Sequence, residues 1–122
     1  AQRLVRKLCS DGGRPIPVED SIRLMIEKQF SDLPEEFKKN FVVGEQVYGI
    51  EPTPTCLNGT SGRAAVIEVL AMDKEIESII LKDPTQPALY KAARAKGMLT
   101  MKEDALLKAF DRIIPFEEVN TL

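Results

Sequence analysis

The sequence predicts a small α+β fold, mainly α, and three observations carry that expectation. Its second half holds helical stretches bracketed by start and stop signals. Two short β-branched runs are separated by a segment loaded with Pro, Thr, Gly and Asn. The 122 residues are 43% hydrophobic and 30% charged, the balance of a folded soluble chain with one core's worth of apolar side chains.

Residues 1–8 place Leu4, Val5 and Leu8 on one helical face and Arg3, Arg6 and Lys7 largely on the other, so a short helix leaning on a partner surface is expected there. Ser10 to Pro15 carries two glycines and a proline and reads as a turn, and Pro17 suits the first turn of the next helix. From Val18 to about Phe30, Ile22, Met25, Ile26 and Phe30 recur at helical spacing behind acidic Glu19 and Asp20, which complement a helix N-terminus. Asp32 reads as the cap of a further short helix running to about Phe41.

Val47 to Ile50 and Ala64 to Leu70 read as strands and are expected to pair with each other as an antiparallel ribbon. Such a ribbon is marginal alone and must lean on helices. Asp73 is an N-cap for a helix over Lys74 to Lys82 with Ile76, Ile79 and Ile80 inward. An Ala-rich helix follows, packed through Leu89, Ala92, Ala93 and Ala95 and closed by a left-handed turn at Gly97. Thr100 and Glu103 form a capping box opening the helix of Leu106, Leu107 and Phe110, and Pro115 begins a last helical turn. No internal repeat is present. Two units are expected: residues 1–71, with the first helix, the inserted helices and the ribbon, and residues 72–122, a helical subdomain.

A formal net charge of −2 supplies no broad positive field for a nucleic-acid backbone, which argues against a DNA-binding domain. Apolar runs fall far short of the roughly 20 residues that cross a bilayer. The N-terminus lacks the basic and apolar zones of an export signal. It also lacks an initiator Met and reads as an element already under way, so an excised fragment is expected. Cys9 and Cys56 could form one disulfide in an oxidising compartment, but the missing export signal favours reduced thiols.

The run Asn58 to Arg63 has the small residues of a phosphate loop, but no Lys follows its second glycine and a strand comes next, so a hairpin turn is the better reading. The pairs Glu35-Glu36, Glu103-Asp104 and Glu117-Glu118 sit at helix N-terminal ends, where the macrodipole already accounts for them. With no His in the chain, nucleophilic catalysis has little to build on. The basic residues Arg3, Arg6, Lys7 and Arg14 are read either as a solvated face or as an interface, since Arg suits bidentate pairing between proteins. Arg63 is read the same way.

Several segments in sequence, namely Gln2-Arg3-Leu4-Val5-Arg6-Lys7-Leu8-Cys9, the Gly62-Arg63 pair before a strand with Glu68, Asp73, Gly97-Met98, Thr100 with Glu103-Asp104, and Glu117-Glu118-Val119, resemble in order the C-terminal third of the type II secretion and type IV pilus assembly ATPases. That resemblance covers the chain nearly end to end. It implies the non-catalytic C-terminal module of a hexameric motor, with ATP and Mg bound in the parent's N-terminal core. It further implies contacts of Arg3, Arg6 and Arg63 with that core or a neighbouring subunit, an inner-membrane platform protein as partner, and a cytoplasmic location peripheral to the inner membrane. The alternative is a freestanding cytosolic helical protein-interaction domain. In the family a knuckle of two Cys-x-x-Cys pairs holds zinc. Here only Cys9 and Cys56 stand at those positions, Gly12 replacing one partner thiol, so the resemblance implies a degenerate, metal-free knuckle with its two cysteines close together. Two thiolates with a carboxylate from Asp11 or Glu51 could in principle hold zinc, but such a mixed site is uncommon as a structural one.

Overall fold

The computed structural model describes residues 1–122 and is a small α+β fold, 39% helical, with two antiparallel ribbons. Strands β1 (Gln2–Leu8) and β2 (Arg14–Pro17) come first, followed by helices α1 (Asp20–Gln29) and α2 (Glu35–Lys38). Then come β3 (Gln46–Gly49), β4 (Thr60–Ile67), α3 (Lys74–Lys82), α4 (Gln86–Ala95), α5 (Met101–Phe110) and α6 (Phe116–Val119).

Residues 1–8 are a strand, which corrects the expected helix. β1 pairs with β4 from Gln2 opposite Ile67 to Leu8 opposite Thr60, with a register shift between Arg6 and Leu8. The extra residue lies on β4, where Ser61 and Gly62 stand against Lys7 alone. Val5 and Leu8 are both buried although they are three apart, a spacing that in sequence imitates a helical face.

The expected pairing of the two β-branched runs is also corrected. β3 pairs with β2, from Arg14 opposite Gly49 to Pro17 opposite Gln46, and β4 pairs with β1. The segment 14–17 divides in the sequence reading between the end of a turn at Pro15 and the first turn of a helix at Pro17, since neither proline can donate to a ladder. It is tolerated as a ribbon strand because such a strand has one edge on which no N–H is required. The helix after it starts at Asp20, not at Pro17.

Local signals in the second half act as read. Asp73 accepts the Ile76 N–H at 2.8 Å and caps α3, and Thr100 with Glu103 closes the capping box on α5; the cap of α4, Thr85, was not singled out in the sequence. Gly97 ends the α4 turn at φ +93, and an added Cβ there would lie 2.5 Å from Phe37 Cδ1, so both backbone and space demand glycine. Two inward assignments are corrected: Ile80 is 40% exposed and Ala95 lies in the exposed class.

The main core crosses from the first half of the chain to the second. Val5 and Val66 of the β1–β4 ribbon, Val47 of β3 and Ile26 of α1 pack with Leu106 of α5 and Ile114. A smaller cluster of Ile76, Ala92 and Ala93 joins α3 to α4. Residues 113–122 lie along the outer edge of β1. The Leu8 N–H donates to the Ile113 carbonyl at 2.9 Å, the Arg6 N–H to Glu118 at 3.1 Å, and the Arg3 guanidinium to the Thr121 carbonyl at 3.1 Å. This covers an edge that would otherwise present unpaired backbone groups.

A buried polar network, unforeseen in the sequence, ties α4 to α1 and α5. Arg94 is 3% exposed and Glu103 is fully buried. The guanidinium donates to both Glu103 oxygens, at 2.5 and 3.0 Å, to Asp32 at 3.0 Å and to the Met98 carbonyl at 2.8 Å. Gln29 donates to Glu103 at 2.8 Å. Asp32 does not cap α2, whose N-cap is Pro34. It receives the Tyr90 hydroxyl at 2.8 Å instead.

Burial and the hydrogen bond to Asp32 push the Tyr90 phenol up from 10.0 to about 12. A folded-state value above the unfolded one contributes stability that is fully present below pH ~10 and is lost as pH rises toward ~12. Phenolate absorbance is expected to show Tyr90 ionising only as pH approaches about 12 while the chain stays folded. Tyr90→Phe should flatten the alkaline loss of stability. An unchanged alkaline limb in that variant would show that Tyr90 is not its source.

Candidate functional site

Two features stand out: the outward face of the β1–β4 ribbon and the cysteine knuckle at one end of it. Residues directly opposite one another in an antiparallel pair share a face. The register therefore groups Gln2 with Ile67, Leu4 with Ala65, and Arg6 with Arg63 on one side, and Arg3 with Val66 and Val5 with Ala64 on the other. Val5 and Val66 are buried, so theirs is the core side, while Leu4 at 62% and Ile67 at 44% exposure mark the open side. That apolar exposure continues into Val69, Leu70 and Met72.

Of the three arginines singled out in the sequence, the structure brings Arg6 and Arg63 together and sets Arg3 apart. Arg3 is occupied with the Thr121 carbonyl. Arg6 donates through Nε to Glu118 at 2.7 Å and through its backbone N–H to the second carboxylate oxygen. Two guanidinium groups directly opposite would repel, and the largely buried Glu118 offsets that by taking Arg6. Arg63 remains exposed beside it.

The carboxylate pairs serve structure. Glu117 accepts the Ile50 N–H at 3.0 Å and Asp104 accepts the Ile67 N–H at 2.9 Å while pairing with Lys108. In the run Asn58 to Arg63 only Asn58 and Gly59 precede the strand, Thr60 to Arg63 already belong to β4, and no helix follows, so this run does not fit a nucleotide phosphate.

At the knuckle, Cys9 follows β1 and Cys56 lies in the loop before β4. Their Cα atoms are 6.5 Å apart and their sulfurs are joined as a disulfide. The two are neighbours, while the expectation of free thiols is corrected. The Gly12 N–H closes a turn onto the Cys9 carbonyl at 3.0 Å, and a Cβ at Gly12 would sit 3.3 Å from Cys9 Cβ. On the other side, Thr53 and Cys56 exchange backbone bonds at 3.0 and 3.1 Å.

Asp11 accepts the hydroxyls of Thr53 and Thr55. The Thr55 bond chiefly holds its carboxyl below the usual range. A closed zinc site takes four soft or imidazole ligands. Two sulfurs bonded to each other and a carboxylate turned to two threonines do not supply them, and no group of three His, Cys, Asp or Glu side chains converges anywhere in the chain. The residues present do not fit the metal.

The type II/IV secretion system protein family model matches residues 1–121. The chain belongs to this family. It is 31% identical over 121 residues to the type IV pilus assembly ATPase PilB of Acinetobacter baylyi, covering 98% of this chain and 20% of that protein. It is 29% identical over 120 residues to PilB of Pseudomonas aeruginosa, again 98% of this chain and 20% of the relative. To the type II secretion system protein E of Xanthomonas campestris it is 29% identical over 125 residues, with the same coverage. The chain thus spans about a fifth of the length of these curated relatives. No helix of this family member is long and apolar enough to cross a membrane.

Proposed function

We propose that this chain is the non-catalytic C-terminal module of a hexameric ATPase that powers type IV pilus assembly or type II protein secretion, contributing to subunit assembly and coupling. The observation that carries this reading is the asymmetry of coverage. Relatives named as pilus assembly ATPases align with 98% of the chain while leaving four-fifths of their own length unmatched. ATP and Mg belong in this proposal to that unmatched part.

The outward face of the β1–β4 ribbon supports an attachment role. Leu4 and Ile67 expose apolar surface next to Arg63, and such a mixture suits a protein partner more than water. The partners in this reading are the protein's own ATPase core, neighbouring subunits and an inner-membrane platform protein. The location is cytoplasmic, held at the inner membrane through those partners. The segments 1–71 and 72–122 act within it as a knuckle-bearing part and a helical part that share the main core.

Arg63→Ala separates an interface role from a structural one. It removes a like-charge neighbour of Arg6, so the isolated chain should melt at the same temperature or slightly higher. The protein made from the whole coding region should lose hexamer formation and ATP hydrolysis. Wild-type assembly and hydrolysis in that variant would dispose of the interface, and ATP hydrolysis by residues 1–122 alone would dispose of the non-catalytic assignment. A coding region without an upstream ATP-binding core would favour a freestanding interaction domain instead.

A further inference from the structure

We propose that Cys9 and Cys56 form a thiol–disulfide exchange site, a covalent modification site that fastens the turn after β1 to the loop before β4 in response to small-molecule disulfides such as oxidised glutathione. The 6.5 Å Cα separation lies within the span that a disulfide bridges without moving the backbone. Both flanking turns are independently closed: Gly12 onto Cys9 on one side, and Thr53 with Cys56, then the Gly59 N–H onto the Cys56 carbonyl at 3.1 Å, on the other. The Asp11 bonds to Thr53 and Thr55 bring the two turns together without the sulfurs. The thiols therefore stay adjacent when reduced, the arrangement that rapid exchange requires.

The two sulfurs differ in access, which sets the order of events. Cys9 is 5% exposed, whereas Cys56 is half-buried. In the oxidising direction the Cys56 thiolate attacks the small disulfide, releasing one small thiol and forming a mixed disulfide. The Cys9 thiolate then attacks Cys56 Sγ and expels the second small thiol. Two protein thiols are oxidised and one small disulfide is reduced to two thiols, their protons accounting for those lost by the cysteines. The reduced state has a resting place ready, since Cys56 Sγ lies 3.7 Å from the Thr60 carbonyl, where a thiol, but not a disulfide sulfur, can donate.

The test equilibrates the purified 122-residue chain across glutathione redox buffers, followed by quenched alkylation and mass measurement. The expected result is a single two-electron transition from two alkylated thiols to none, in a monomer lighter by two hydrogens. Oxidation should also slow exchange of the Gly12 and Gly59 amides. Cys9→Ser should accumulate the glutathione adduct at Cys56, and Cys56→Ser should take up far less at Cys9, with circular dichroism confirming that both are folded. Two free thiols in the most oxidising buffer, an intermolecular disulfide, or one bound zinc that shields both thiols from alkylation would each overturn the proposal.

Discussion

Arg94→Met is expected to destabilise the chain by about 3–5 kcal/mol, the usual cost of stranding one partner of a buried ion pair. Arg94 is the sole cation on the fully buried Glu103 carboxylate, and it also holds Asp32 and the Met98 carbonyl. Methionine fills much of the volume but supplies no donors, so Glu103 keeps only Gln29 and the Thr100 N–H. Its charge must then be neutralised or reach water. Adding Glu103→Gln removes that charge while retaining a carbonyl for the Thr100 N–H, so the double variant should be more stable than Arg94→Met alone. Urea denaturation of the three proteins measures this. A loss under about 1 kcal/mol in the single variant would mean that the network is solvated and contributes no more than a surface pair.

Leu106→Ala should cost about 2–5 kcal/mol, the range for truncating a well-packed core leucine. Leu106 is fully buried on α5, in the cluster where the β1–β4 ribbon, β3 and α1 meet. A cavity there removes support from a ribbon that cannot stand alone. Leu106→Met conserves volume and should lose less than about 1.5 kcal/mol. Comparable losses in the two variants would show that the position depends on side-chain shape more than on filled volume.

What the sequence displayed and what it hid follow from how far each signal travels. Asp73, Gly97 and Thr100 act on backbone groups within a few residues, so the helices they bracket were legible. β1 was not, because its partner lies some 60 positions away and Leu4, Val5 and Leu8 fall at a helical spacing. β2 was masked by two prolines, Pro15 reading as the end of a turn and Pro17 as a helix start. Arg3, Arg6 and Arg63 were visible as a charge pattern, yet only the register separates Arg3 from Arg6 and Arg63. Arg94 was missed although one cue was present: a single cation stands between Ala93 and Ala95 on a helix whose packing face is alanine. Its acceptors, Asp32 and Glu103, lie on other elements.

The final ten residues run beside the opening strand, joined to it at Ile113, Glu118 and Thr121, so the two ends of this domain stand or fray together. An affinity handle fused after Leu122, or a deletion beginning at Val119, would be felt first at Gln2 to Leu8, far off in the chain but adjacent in space. Anyone shortening or labelling this module at its tail is editing its first strand as well.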